Sequence, residues 1–207
     1  MSRLLPAITL GLMLIVISAL PAPAQTAGYD LGIVRAGMPL AELRRGPWPP
    51  GARLLCANDP DLPATIEAPA RNGIALPPRF SGLGIVACAL FAKGGDGTWT
   101  LTTIPFAGHP AQLWVLGLAE TSGGETKITQ AKLWQADDAL SDGTAAITKR
   151  LGPTASSTSN GSTWRRDGSE AIIGRVTSGG TLVVLTDTRL EKVLRARMGE
   201  GSTKVDN

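Results

Sequence analysis

Histidine is almost absent from this chain: His109 is the only one in 207 residues. That excludes metal sites built on several histidines and any mechanism that pairs two of them. Charge is also sparse. Charged residues make up 18%, too few for a coiled coil or a solvated charged rod. The 20 basic and 17 acidic residues leave a net charge of +3, too small and too scattered an excess for nucleic acid. No glycine-rich phosphate loop is present, because Gly94-Gly95-Asp96-Gly97 lacks the Lys and Ser/Thr of a phosphate cradle. No G-x-S-x-G elbow is present either. Asp137, Asp138 and Asp142 cluster ahead of Gly143, but Leu140 occupies the middle of what would be a calcium loop. They read as the solvated start of a helix. His109, between Gly108 and Pro110, reads as a surface turn residue. The sequence therefore predicts no catalytic set, no metal site and no cofactor.

What is present begins with the N-terminus. Arg3 precedes an apolar run over 4–20, and Ala22 and Ala24 form an A-x-A cleavage signature. The dense core of that run, 8–20, is short for a membrane span of about 20 residues. Residues 1–24 are predicted to be a cleaved signal peptide, leaving no stable transmembrane anchor and a secreted or periplasmic product that starts at Gln25. Both cysteines, Cys56 and Cys88, remain in that product. An even count in an oxidising compartment predicts one disulfide. The competing reading, two free thiols, finds nothing beside either Cys to lower its pKa.

Hydrophobic residues make up 43%, and 25 Gly and 15 Pro give a turn-rich composition suited to many short strands. A short helix is expected over 38–45, stopped by the Gly- and Pro-rich segment 46–51. The irregular segment 58–78 carries five prolines and reads equally as a functional loop or a tolerated insertion. From 84 two apolar runs, 84–91 and 112–119, and two alternating segments, 98–104 and 127–135, predict a four-strand antiparallel meander that ends at Gln135. A second helix should start from a cap at Ser141 or Asp142 and end at Gly152-Pro153. Asp167-Gly168 marks a β-hairpin, and 190–198 a last short helix. The fold class expected is α+β: antiparallel meander sheets with two or three short helices on one face. The halves would run 25–136 and 137–198, with a loose tail over 199–207.

Two stretches share an order of short helix, Gly-Pro stop, Trp and antiparallel strands, a weak internal repeat. The first of them, Gly32-Ile33-Val34-Arg35-Ala36-Gly37-Met38-Pro39-Leu40-Ala41-Glu42-Leu43, resembles the opening of SmpA/OmlA-type periplasmic modules. Thr163-Trp164-Arg165-Arg166-Asp167-Gly168 resembles the hairpin that follows the helix there. The beta-lactamase inhibitor protein family is similar in plan, with two such modules in tandem. The chain departs from the SmpA/OmlA lipoproteins in having no Cys after the signal segment. The resemblance implies a helix-plus-sheet binding module and carries over no partner.

The function expected is a noncatalytic binding or accessory module that recognises a protein or an envelope component. A secreted hydrolase with carboxylate chemistry and an inhibitor of a secreted enzyme are the alternatives. The candidate binding residues are Trp48, exposed among prolines, and the basic-aromatic run Trp164, Arg165 and Arg166.

Overall fold

A computed structural model describes residues 28–202, apart from Ser81 and Ser122. The expected signal peptide, residues 25–27 and the last five residues lie outside the described residues. In chain order the elements are α1 (Leu40–Arg44), β1 (Ala52–Cys56), α2 (Ala68–Ile74), a 3-10 turn (Pro78–Phe80), β2 (Ile85–Lys93), β3 (Trp99–Leu101), β4 (Thr103–Phe106), β5 (His109–Ala119) and β6 (Thr126–Gln135). Then come α3 (Leu140–Leu151), β7 (Ser156–Thr158), β8 (Gly161–Arg166), β9 (Ser169–Arg175), β10 (Thr181–Asp187) and α4 (Thr188–Ser202). The fold is α+β, with helices packed on an antiparallel sheet.

All ten strands join one sheet, in the order β1-β2-β5-β6-β10-β9-β8-β7. β3 and β4 fill the gap where β2 and β5 diverge, β3 pairing with β2 and β4 with β5. The single alternating strand expected over 98–104 is broken at Thr102, whose N–H turns to Leu90 O instead. Strand order follows the chain in the first half and reverses in the second. The last strand of each half, β6 and β10, therefore pair at the centre, from Thr181↔Gln135 to Thr186↔Gln130. A shared sheet and a shared core join the two expected halves.

Period-2 alternation sorts the side chains onto two faces. On the inner face Leu54, Cys88, Leu90, Leu113, Val115, Ala131, Leu133, Ile173, Val183 and Leu185 form the main core. α1 closes it with Leu40 and Leu43, and α3 with Ile147. Gly143 lets α3 approach β9 closely: a Cβ there would lie 2.4 Å from Ile173 Cδ1. The alternate residues Leu55, Ala89 and Phe91 point to the outer face, where Ile66, Ala70 and Ile74 cover them. The helices thus divide, α1 and α3 on one face and α2 on the other, while α4 packs against one end of β6, β9 and β10 with Leu190 and Leu194 buried. The Pro-rich segment 58–78 has a packing role, since it carries α2 and roofs the outer side of β1 and β2.

Element ends follow local chemistry where it is undisturbed. α3 ends at Gly152, φ 87°, whose N–H bonds Thr148 O, as the Gly-Pro pair predicts. Arg166↔Ser169 pairing closes the Asp167-Gly168 hairpin, with Gly168 at φ 78°. α1 begins only at Leu40, because Pro39 takes the N-cap position. The expected cap of α3 does not form: the helix follows Ala139, and neither Ser141 nor Asp142 caps it. The last helix runs to Ser202, so the expected loose tail is helical over its first four residues. Arg197 ties α4 to the rest by donating to Leu83 O and Ala119 O, at 2.9 and 2.7 Å.

Asp187 starts α4. Its fully buried carboxylate accepts the N–H groups of Arg189 and Leu190 at 3.0 and 3.1 Å, the second and third positions of the helix. Asp187→Ala is expected to cost about 2 kcal/mol, the upper end of the N-cap range, because the abandoned donors sit away from water. Urea unfolding of the two proteins reads that loss directly.

Candidate functional site

The outer face is only half roofed. α2 covers it over β1, β2 and Trp114, whose ring a Cβ on Gly73 would meet at 2.4 Å. Beyond Trp114 the strand registers set out two rows. The first runs Trp114–Lys132–Val184–Ile172–Thr163 across β5, β6, β10, β9 and β8. The second runs Gln112–Trp134–Leu182–Gly174. Trp134, Leu182 and Val184 are only half-buried, and Ile172 is 39% exposed. Lys132 stands exposed at the centre of this field and has no carboxylate partner among the described residues. Contiguous apolar side chains on an open sheet face are the usual mark of an interaction surface. A β-sheet holds such a surface rigidly, because each position is fixed by hydrogen bonds on both sides.

The structure does not bring the four sequence-predicted binding residues together. Trp164 is fully buried in the main core, and its indole N–H donates to Gly152 O at 3.1 Å. It is a core residue and presents no contact surface, which corrects its place in the expected patch. Trp48 is half-buried against the same core and folded over Gly46. Arg165 and Arg166, being sequence neighbours on a strand, point to opposite faces. Arg165 lies on the outer face in an ion pair with Glu170 at 2.6 Å. Arg166 stacks over the buried Tyr29 ring, 5.2 Å from its centroid. Burial raises the Tyr29 pKa, and the Arg166 charge opposes that shift. Cys56 and Cys88 are joined, as expected, directly opposite each other on β1 and β2.

One cluster escaped the sequence reading. His109, at the start of β5, lies between two of the three clustered aspartates. Nδ1 is 2.6 Å from Asp137 Oδ2 and Nε2 is 2.9 Å from Asp142 Oδ2. The third, Asp138, is held by Arg175 at 3.0 Å, and those hydrogen bonds keep its carboxyl below the usual range. The hydrogen bond to Asp142, then that to Asp137, holds the His109 pKa above its ordinary value. Both ring nitrogens are occupied, so the imidazole has no free lone pair with which to act as a general base. The nitrogens also face outward from opposite edges of the ring, so the three groups do not converge on one point. Among the described residues, no group of three or more His, Cys, Asp or Glu side chains is arranged to hold a metal ion. The signal was present but weak: His109 and the aspartates lie 28 and 33 positions apart, and only the strand pairing brings them together.

A cleft of about 240 Å³ opens beside the segment before α1, lined by Asp30, Ile33, Arg35, Met38, Glu42 and Leu43 among others. It is smaller than the roughly 300–1,000 Å³ of most small-molecule pockets. Arg35 and Glu42 pair across it at 3.4 Å. No helix among the described residues is long and apolar enough to cross a membrane. Comparison with protein-family models, with curated proteins and with solved structures returns no match.

Proposed function

We propose that this chain is a secreted or periplasmic, noncatalytic binding module, and that it recognises a protein through the open half of its outer sheet face. The supporting observation is the unroofed field of Trp134, Leu182, Val184 and Ile172 around the lone ammonium of Lys132. Such a field suits a partner surface that sets apolar side chains around one carboxylate. The Cys56–Cys88 bridge fits an oxidising compartment. The helix-plus-meander plan of each half is the plan that the SmpA/OmlA resemblance implies, and it supports a binding role without naming a partner.

The test is retention of native envelope proteins by the immobilised chain from Gln25 onward, with mass spectrometry of what stays bound. The wild type is expected to retain one protein reproducibly. Ile172→Lys and Lys132→Glu should weaken that complex about thirtyfold, the effect of losing a central anchor worth about 2 kcal/mol. Trp48→Ala, remote from the face, should leave binding unchanged. Both face variants alter exposed side chains and should unfold with the wild type. Retention that is absent, or equal for all four proteins, overturns the reading.

A further inference from the structure

Both nitrogens of His109 face carboxylates at hydrogen-bond distance. A neutral imidazole offers one N–H and one lone pair, so it can satisfy only one of them. Only the imidazolium donates to both. In the neutral ring either Asp137 or Asp142 confronts a lone pair, and that contact becomes repulsive.

The three groups come from separate places. His109 ends the β4–β5 turn, Asp137 lies between β6 and α3, and Asp142 stands in the first turn of α3. Ala107, in the β4–β5 turn, holds φ 53°, a left-handed conformation that costs a non-glycine residue on the order of 1 kcal/mol. The N-cap position of α3 is Ala139, whose side chain cannot cap, and Asp142 in the first turn is directed at His109. The nearby charges are otherwise committed. Asp138 and Arg175 satisfy each other, and Gln135 Nε2 donates to Phe106 O at 3.0 Å beneath the turn. Asp137 and Asp142 are thus the charged groups left to face the ring.

We propose that His109 is a proton-operated latch, pinning the β4–β5 turn to the uncapped start of α3 while the imidazole is charged and releasing it when the proton leaves. The sign follows from linkage. The folded pKa of His109 lies above the unfolded value of about 6.5, so the latch contributes fully below that value. The contribution is lost as pH rises through the folded pKa. An environment turning alkaline would loosen the junction between the two halves, and an acid one would tighten it. The latch does not depend on the outer-face reading, because it lies on the other side of the sheet.

His109 is the sole histidine, so one imidazole resonance reports it without assignment ambiguity. In the wild type its NMR titration midpoint should lie above 6.5, and Asp142→Asn and Asp137→Asn should each lower it. Amide exchange, corrected for its intrinsic pH dependence, should rise threefold or more across that midpoint over residues 106–109 and 139–143. In His109→Gln the corrected exchange of the same amides should not vary with pH. A wild-type midpoint at or below 6.5 overturns the latch. So does the same pH profile of exchange in wild type and His109→Gln, since the proton would then be moving nothing.

Discussion

Replacing Trp164 by alanine is expected to remove about 3–5 kcal/mol of stability, the range for deleting a large aromatic side chain from a packed core. Trp164 is the bulkiest fully buried side chain among the described residues, enclosed by strands of the second half beneath α3. Two losses add. The cavity forfeits the transfer free energy and the packing contacts of the indole. The carbonyl of Gly152, where α3 ends, also loses the indole N–H. Against a typical total of 5–15 kcal/mol, that is a third or more of what holds the chain folded. Trp164→Phe separates the terms. It keeps most of the volume and should cost about 1–2 kcal/mol, largely the abandoned hydrogen bond and the residual void. Urea unfolding with an unchanged slope is the measurement. A loss below about 1 kcal/mol for Trp164→Ala would mean that the indole is not packed as described.

Trp164 also shows where reading the sequence stops. Strand alternation puts a side chain on one of two faces. It does not say which face is roofed. Trp134 and Trp164 both sit on strands with suitable alternation, yet one borders open sheet and the other is enclosed. The difference is made by where the helices land: α3 packs on the inner face over Trp164, and no local pattern encodes that landing. For the same reason the candidate patch moved from Trp164, Arg165 and Arg166 to the rows around Lys132. Two neighbours on a strand cannot share a face, which is a purely local rule, and it alone separates Arg165 from Arg166.

Signals that act within a few residues were legible: the Gly152-Pro153 stop, the Asp167-Gly168 hairpin, the apolar run of β5 and the alternation of β6. Those that compete with distant partners were not. Ser141 and Asp142 are sound N-cap residues by type, but α3 starts before both of them, after Ala139. In the folded chain Ala139, whose N–H bonds the distant Thr181 Oγ1, takes the cap position instead, and Asp142 falls inside the first turn with its carboxylate 2.9 Å from His109 Nε2. Segment 58–78 misleads in the opposite direction. Its prolines suggest irregular chain, but Pro69 falls in the first turn of α2, where a missing N–H costs nothing.

Removing the bridge with the pair Cys56→Ala and Cys88→Ala is expected to cost about 3–4 kcal/mol, the loop-closure entropy of roughly 33 residues returned to the unfolded chain. Alanine is the cleaner replacement, because both positions are buried and serine would add hydroxyls without partners. The loss should also be local. β1 is an end strand of the sheet, hydrogen-bonded on one side only, to β2, over five residue pairs. Cys56 and Cys88 face each other at the end of that ladder with Cα atoms 4.0 Å apart. Without the bond, β1 is free to fray, and α1 and α2 lose the strand that separates them. Amide exchange should therefore quicken first over 52–56, well before β10, which is paired on both sides. The size of the effect bears on where the protein works. A chain that owes a few kcal/mol to its disulfide reaches full stability only where thiols oxidise, as the predicted signal segment requires. A double variant within 1 kcal/mol of wild type would take that support away and leave the N-terminal segment as the sole argument for export.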